Sequence, residues 1–130
     1  MSLQTIEIKA FVPARDFSLS RRFYEDLGFT VAWSSGDLAY LHAGSSSFLL
    51  RKFDNPEHAG NFMMHLLVAD VERWWRHVQS QRLIDRYGVT GRPPEVRPWA
   101  MRDFVLTDPA GVTWRIAQNV DKRDATEDYR

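Results

Sequence analysis

The run Phe48-Leu49-Leu50-Arg51 returns 64 positions later as Val112-Thr113-Trp114-Arg115, and Tyr40-Leu41 returns at the same offset as Phe104-Val105. Upstream the echo has a shorter offset: Asp16 opens one amphipathic segment and Asp70 opens another 54 positions on, so ten extra residues fall around 86–99. A unit written twice predicts two similar modules facing each other across a cavity, where a ligand would sit.

Periodicity fills in each copy. Thr5 to Val12 alternates, with Ile6, Ile8, Ala10 and Val12 on one side and Glu7, Lys9 and Phe11 on the other, which predicts a half-buried strand ended by Pro13. Asp16 or Ser18 can cap a helix whose apolar stripe is Leu19, Phe23 and Leu27, with Gly28 placed to end it. Strands follow at Phe29–Trp33, Leu38–His42 and Phe48–Phe53, joined by turns rich in Ser and Gly. In the second copy, Phe62–Val68 reads as a strand, and Asp70 caps a helix with Val71, Trp74, Trp75 and Val78 on one stripe. Leu83-Ile84 starts a further strand, and Gly88 to Pro98, with two glycines and three prolines, reads as a loop. Met101–Thr107 and Val112–Gln118 are strands flanking the Asp108-Pro109-Ala110-Gly111 turn.

The fold class is therefore α+β, with two βαβββ modules whose curled mixed sheets each carry one helix. The first module spans 1–53, a polar linker 54–61, the second module 62–120 and a charged tail 121–130. The helices belong against the parity of Ile6, Ile8, Phe62, Met64, Trp114 and Ile116. The opposite parity lines the cavity: Glu7, Lys9, Phe11, Leu49, Arg51 and Phe53, then Met63, His65, Leu67, Thr113, Arg115 and Ala117.

Composition narrows the function. Among 130 residues, 17 basic and 17 acidic side chains cancel, which argues against a nucleic-acid binder. There is no cysteine, so disulfides and thiolate chemistry are excluded. No apolar stretch reaches membrane-spanning length and the start lacks a signal-peptide pattern, so a cytoplasmic protein is expected. No nucleophile dyad and no glycine-rich phosphate motif stands out, so no catalytic residue and no cofactor is expected.

Val12-Pro13-Ala14-Arg15-Asp16, Phe23 to Phe29, Val68-Ala69-Asp70-Val71 and Asp108 to Asn119 together resemble the vicinal oxygen chelate superfamily, which includes glyoxalase I, extradiol dioxygenases and the fosfomycin- and bleomycin-resistance proteins. Within it, Pro13 to Phe17, Pro94-Glu95 leading to Trp99, and the closing Asp108 to Asn119 are most similar to the bleomycin-resistance group. That resemblance implies a homodimer that sequesters a glycopeptide antibiotic in crevices between two chains, without turnover. It also implies that a tryptophan at Trp99 stacks on a flat heteroaromatic group.

Enzymatic members of the superfamily hold a divalent metal on the first and last strands of each module. Those places fall near Lys9, Arg51, Met63 and Arg115, with Glu7 and His65 as neighbours in register. A guanidinium has no acceptor lone pair and stays protonated, so it cannot ligate a metal. Only Glu7 and His65 offer suitable donors, with His42 a further candidate if its strand turns inward, so no metal site is expected. The alternatives are a metal-dependent lyase or dioxygenase using Glu7, His65 and a third ligand, and a metal-free binder of another small molecule. The candidate ligand-binding residues are Trp99, Trp33, Tyr40, Phe62, His65, Arg51 and Arg115. Core packing competes for Trp33, Tyr40 and Phe62. Arg51 and Arg115 either pair with Glu7 or Asp103 or contact an anionic or carbonyl-rich ligand. Bleomycin-type ligands are cationic, and Asp37, Glu57, Glu95 and Asp103 would supply a local acidic patch for them.

Overall fold

The computed structural model describes residues 2–120, so the charged tail 121–130 lies outside the described residues. In chain order the elements are β1 (Phe11–Ala14), α1 (Phe17–Leu27), β2 (Thr30–Ser34), β3 (Leu38–Ala43), β4 (Ser46–Lys52) and α2 (Pro56–Asn61). Then come β5 (Met63–Leu67), α3 (Val71–Ser80), α4 (Leu83–Tyr87), β6 (Gly91–Arg97), β7 (Met101–Thr107) and β8 (Thr113–Asn119). They build two four-stranded mixed sheets, ordered β1-β4-β3-β2 and β5-β8-β7-β6, and neither sheet closes on itself. In each, the first strand runs parallel to the last and the other pairings are antiparallel.

The long helices begin where the caps predict. Asp16 accepts from the Leu19 N–H at 3.2 Å, and Asp70 from the Arg73 N–H at 3.1 Å. Gln118 on β8 adds a second tie, accepting from the Val71 N–H at 2.9 Å. Gly28 ends α1 at a φ of 128°, a conformation a side chain would resist.

The two modules share one core. Trp114 of β8 lies 5.3 Å from Phe48 of β4, 5.7 Å from Phe29 and 5.5 Å from Tyr24 of α1, ring centroid to centroid. Farther along the same face of the second sheet, Trp75 of α3 packs 5.1 Å from Phe104 of β7. The modules thus meet through the apolar faces that also carry the helices, and not across a cavity lined by their polar faces. A buried polar knot reinforces the join. The Trp114 indole N–H donates to the Tyr24 hydroxyl at 2.9 Å, and that hydroxyl donates to Asp108 in the β7–β8 turn. Asp108 also accepts from the N–H groups of Ala110 and Val112, each at 2.9 Å.

Several expectations are corrected. The first strand begins at Phe11, not Thr5, and it contains Pro13, which sits on a sheet edge where its missing N–H costs no ladder bond. Ile6 and Ile8 alternate as strand residues do, yet none of the described residues covers them and both are almost fully exposed. The expected linker 54–61 holds the short helix α2, opened by Asn55 with Pro56 in its first turn. Leu83-Ile84 begins the helix α4, not a strand. The expected loop 88–98 contains the edge strand β6. Its pairing shifts register between Arg92 and Glu95, where Pro93-Pro94 cannot donate. The offset of 64 also fails in the third strand: Tyr40 shares a face with Leu49 on the open side, whereas Phe104 is fully buried. A slip of one residue exchanges the two faces of a strand.

Candidate functional site

The open face of the second sheet is built by alternation along β5, β7 and β8. His65 and Arg115 are ladder partners there, and Met63 and Leu67 stand on either side of His65. Asp103 on β7 points to the same side and is fully buried. It is enclosed by two guanidinium groups: Arg97 Nε donates to Oδ1 at 2.9 Å, and Arg115 Nη1 donates to Oδ1 at 3.2 Å and Oδ2 at 3.1 Å. Arg97 also reaches Glu95 at 3.1 Å. The β6–β7 turn, residues 98–100, carries Trp99 back over this cluster. The Arg115 guanidinium carbon lies 5.9 Å from the centre of the indole, within cation–π range. Ala100, next to Trp99, is held at a φ of 62°, a left-handed conformation that an alanine adopts only under constraint from its surroundings. Trp99 remains 56% exposed.

The open face of the first sheet has different chemistry. Glu7 accepts from Lys9 Nζ at 2.6 Å, Ser47 Oγ at 2.7 Å and the Tyr40 hydroxyl at 3.3 Å. The Lys9 bond, followed by that of Ser47, holds the Glu7 carboxyl below its ordinary value. Trp33 is the ladder partner of Tyr40 and is largely exposed on the edge strand. Arg51 faces Pro13 and Leu38 across its ladders and stacks 4.8 Å from the Phe53 ring. Among the described residues it has no acidic partner.

The sequence candidates thus separate into two groups. Trp99, Arg115 and His65 share the open face of the second sheet, and Trp33, Tyr40 and Arg51 belong to the first sheet. Phe62 stands apart from both, at the end of α2, packed against the core and 5.4 Å from the His58 ring. Of the two pairings open to the arginines, Arg115 takes Asp103, and Arg51 takes neither Asp103 nor Glu7. Of the residues expected to form an acidic patch, Asp103 is buried between two arginines and Glu95 is paired with Arg97. Arg97 was invisible as a site residue because its strand reads as a loop.

Two grooves border these faces. One of about 520 Å³ runs between Ile6–Ile8, the Ser45–Ser47 turn and β5, with Trp114 at its floor. Another of about 350 Å³ lies over Glu7, Tyr40 and His42. A smaller hollow of about 240 Å³, lined by Leu27, Gly28, Arg73, Trp74 and His77, is on the helical side, away from Trp99.

The sequence profile of the glyoxalase/bleomycin resistance protein/dioxygenase superfamily matches residues 6–116. The chain belongs to that superfamily. It is 29% identical over 115 residues to a bleomycin resistance protein of Klebsiella pneumoniae, an alignment covering 83% of this chain and 88% of the relative. The crystal structure of a bleomycin-binding protein complexed with bleomycin superposes with a TM-score of 0.74 at 25% identity, over 88% of this chain and 99% of the other. A lactoylglutathione lyase from Agrobacterium tumefaciens shares the fold, with a TM-score of 0.67 at 15% identity, over 89% of this chain and 95% of that enzyme.

The resemblance places a divalent metal in the superfamily's enzymes, and the described residues at the corresponding places do not fit one. Arg51 and Arg115 stand where last-strand ligands are expected, and neither can donate a lone pair. Glu7 is engaged by an ammonium and two hydroxyls, and no three His, Asp or Glu side chains gather among the described residues. No helix among those residues is long and apolar enough to cross a membrane.

Proposed function

We propose that this chain is a cytoplasmic, non-catalytic binding protein that sequesters a bleomycin-type glycopeptide in a crevice between two copies of itself. The observation that carries the reading is the half-exposed Trp99 indole, backed by the Arg115 guanidinium on an open sheet face. A flat ring held in place with one side free can stack on a planar heteroaromatic group with little ordering cost. The likeness to bleomycin-binding relatives supports the choice of ligand.

The dimer is supported by what one copy leaves uncovered. Leu3, Ile6 and Ile8 project outward at 83%, 99% and 94% exposure, while Glu7 and Lys9 between them engage their own chain. Phe11, Met63 and Leu67 add apolar surface at the free edges β1 and β5. Contiguous exposed apolar surface of this kind marks an association site. A second copy would also supply the missing wall opposite Trp99. In this arrangement Trp33, Tyr40 and Arg51 of one copy would meet the ligand from the other side, with His65 beside Arg115.

Isothermal titration with bleomycin tests the reading. About one drug should bind per chain, and Trp99→Ala should weaken binding about 10- to 100-fold, the size of a stacked aromatic hot spot. No heat at micromolar drug would exclude this ligand. Sedimentation should give a dimer for the parent and a shift toward monomer for Ile6→Asp/Ile8→Asp. A parent that sediments only as monomer would remove the interface crevice.

A further inference from the structure

We infer that Asp103 is a positioning residue for the Trp99 ring, a role that rests on the binding reading above only for its effect on ligand. The inference comes from what the buried carboxylate holds. Its side chain has no solvent exposure, and each of its two partners controls one side of Trp99. Arg97, bound at 2.9 Å, is the last residue of β6 and opens the turn that carries Trp99. Arg115, bound through both carboxylate oxygens, lies under the indole at 5.9 Å. One carboxylate therefore fixes both the start of the turn and the shelf beneath the ring. A guanidinium is planar, so anchoring it on one edge sets the plane against which an aromatic ring rests.

Two comparisons within the chain isolate the effect. Trp33 is as exposed as Trp99, at 54% against 56%, yet no cation backs its ring among the described residues. Arg51 also lies against an aromatic ring, that of Phe53, but no acid among the described residues anchors it. Among the described residues, only at Trp99 do a buried carboxylate, a guanidinium and an exposed indole stand in series. The backbone supports the same point, because Ala100 keeps its left-handed conformation with its N–H on the Arg97 carbonyl at 3.2 Å and its own carbonyl bound by the Val120 N–H at 3.1 Å.

The test has one arm that needs no ligand and one that does. Subtracting the fluorescence of Trp99→Phe from that of the parent isolates the Trp99 signal. In Asp103→Asn, that signal should lose anisotropy and become about twofold more open to acrylamide quenching. The other four tryptophans, read in the Trp99→Phe background, should not change. In bleomycin titrations, Asp103→Asn should lose about tenfold in affinity in the parent and less than twofold in the Trp99→Ala background. Independent losses that multiply in the double variant, or a Trp99 signal unchanged by Asp103→Asn, would overturn the assignment. If the parent itself fails to bind bleomycin, the binding reading falls, and the fluorescence arm still decides the role of Asp103. If Asp103→Asn does not fold, Arg115→Lys keeps the charge beside Asp103 while removing the planar shelf, and the same two arms apply to it.

Discussion

Replacing Trp114 by alanine should cost about 3–5 kcal/mol of folding stability, the range for deleting a large buried aromatic. Trp114 is only 2% exposed, and it belongs to the second module by sequence but touches Tyr24, Phe29 and Phe48 of the first. Its removal opens a cavity at the seam and leaves the Tyr24 hydroxyl without its N–H donor. A domain of this size has a total stability of about 5–15 kcal/mol, so the variant should be largely unfolded at moderate urea. Trp114→Phe keeps most of the volume and loses only the N–H, and it should cost about 1–2 kcal/mol. Urea unfolding followed by far-ultraviolet circular dichroism measures both. A cost below about 2 kcal/mol for the alanine variant would contradict the shared core.

Asp108→Ala should be nearly as damaging, at about 3–5 kcal/mol, because it strands buried donors. The Tyr24 hydroxyl and the N–H groups of Ala110 and Val112 all lose their acceptor at once. Burial holds the Tyr24 hydroxyl well above its ordinary value, with the Asp108 charge adding to the shift, so it remains a neutral donor across the accessible range. Burial also raises the Asp108 carboxyl above its ordinary value, against the lowering effect of the bonds from Tyr24, Val112 and Ala110. The sign of the pH dependence follows from linkage. A folded carboxyl with a raised pKa holds its proton more tightly than the unfolded chain does. Its contribution is then complete below the unfolded value and declines as pH rises through the folded one. The stability of the parent minus that of Asp108→Asn should therefore fall as pH climbs through the carboxylate range. A difference that grows with pH would mean the hydrogen bonds outweigh burial at this site.

Much of the fold was legible because its signals are local. The side chains of Asp16 and Asp70 cap helices by accepting from N–H groups three residues on, and the alternation of Met64, Leu66, Trp114 and Ile116 marks the core face of the second sheet. The illegible parts depend on partners far away in sequence. Ile6 and Ile8 have the period of a strand, but strand formation needs a neighbour, and the described residues do not provide one on that side. Pro93-Pro94 argued for a loop because the edge position of β6 and its register shift exist only once the sheet is assembled. At the candidate site, the exposed Trp99 and the pairing of Arg115 with Asp103 were among the readings open from residue type and parity. The enclosure of Asp103 by a second guanidinium was not, since Arg97 lies on the strand mistaken for a loop.

The single seam through Trp114, Phe48, Phe29 and Tyr24 has a consequence for how this duplicated architecture can change. Each half repeats the other in outline and packs a helix on its own sheet, yet the two apolar layers merge into one continuous core. A gene fragment encoding one half would present its inner aromatic wall to water and should collapse or aggregate. Recombination that exchanges one half for that of a distant relative must preserve both sides of the seam, so ancestral symmetry survives in the backbone while folding has become indivisible.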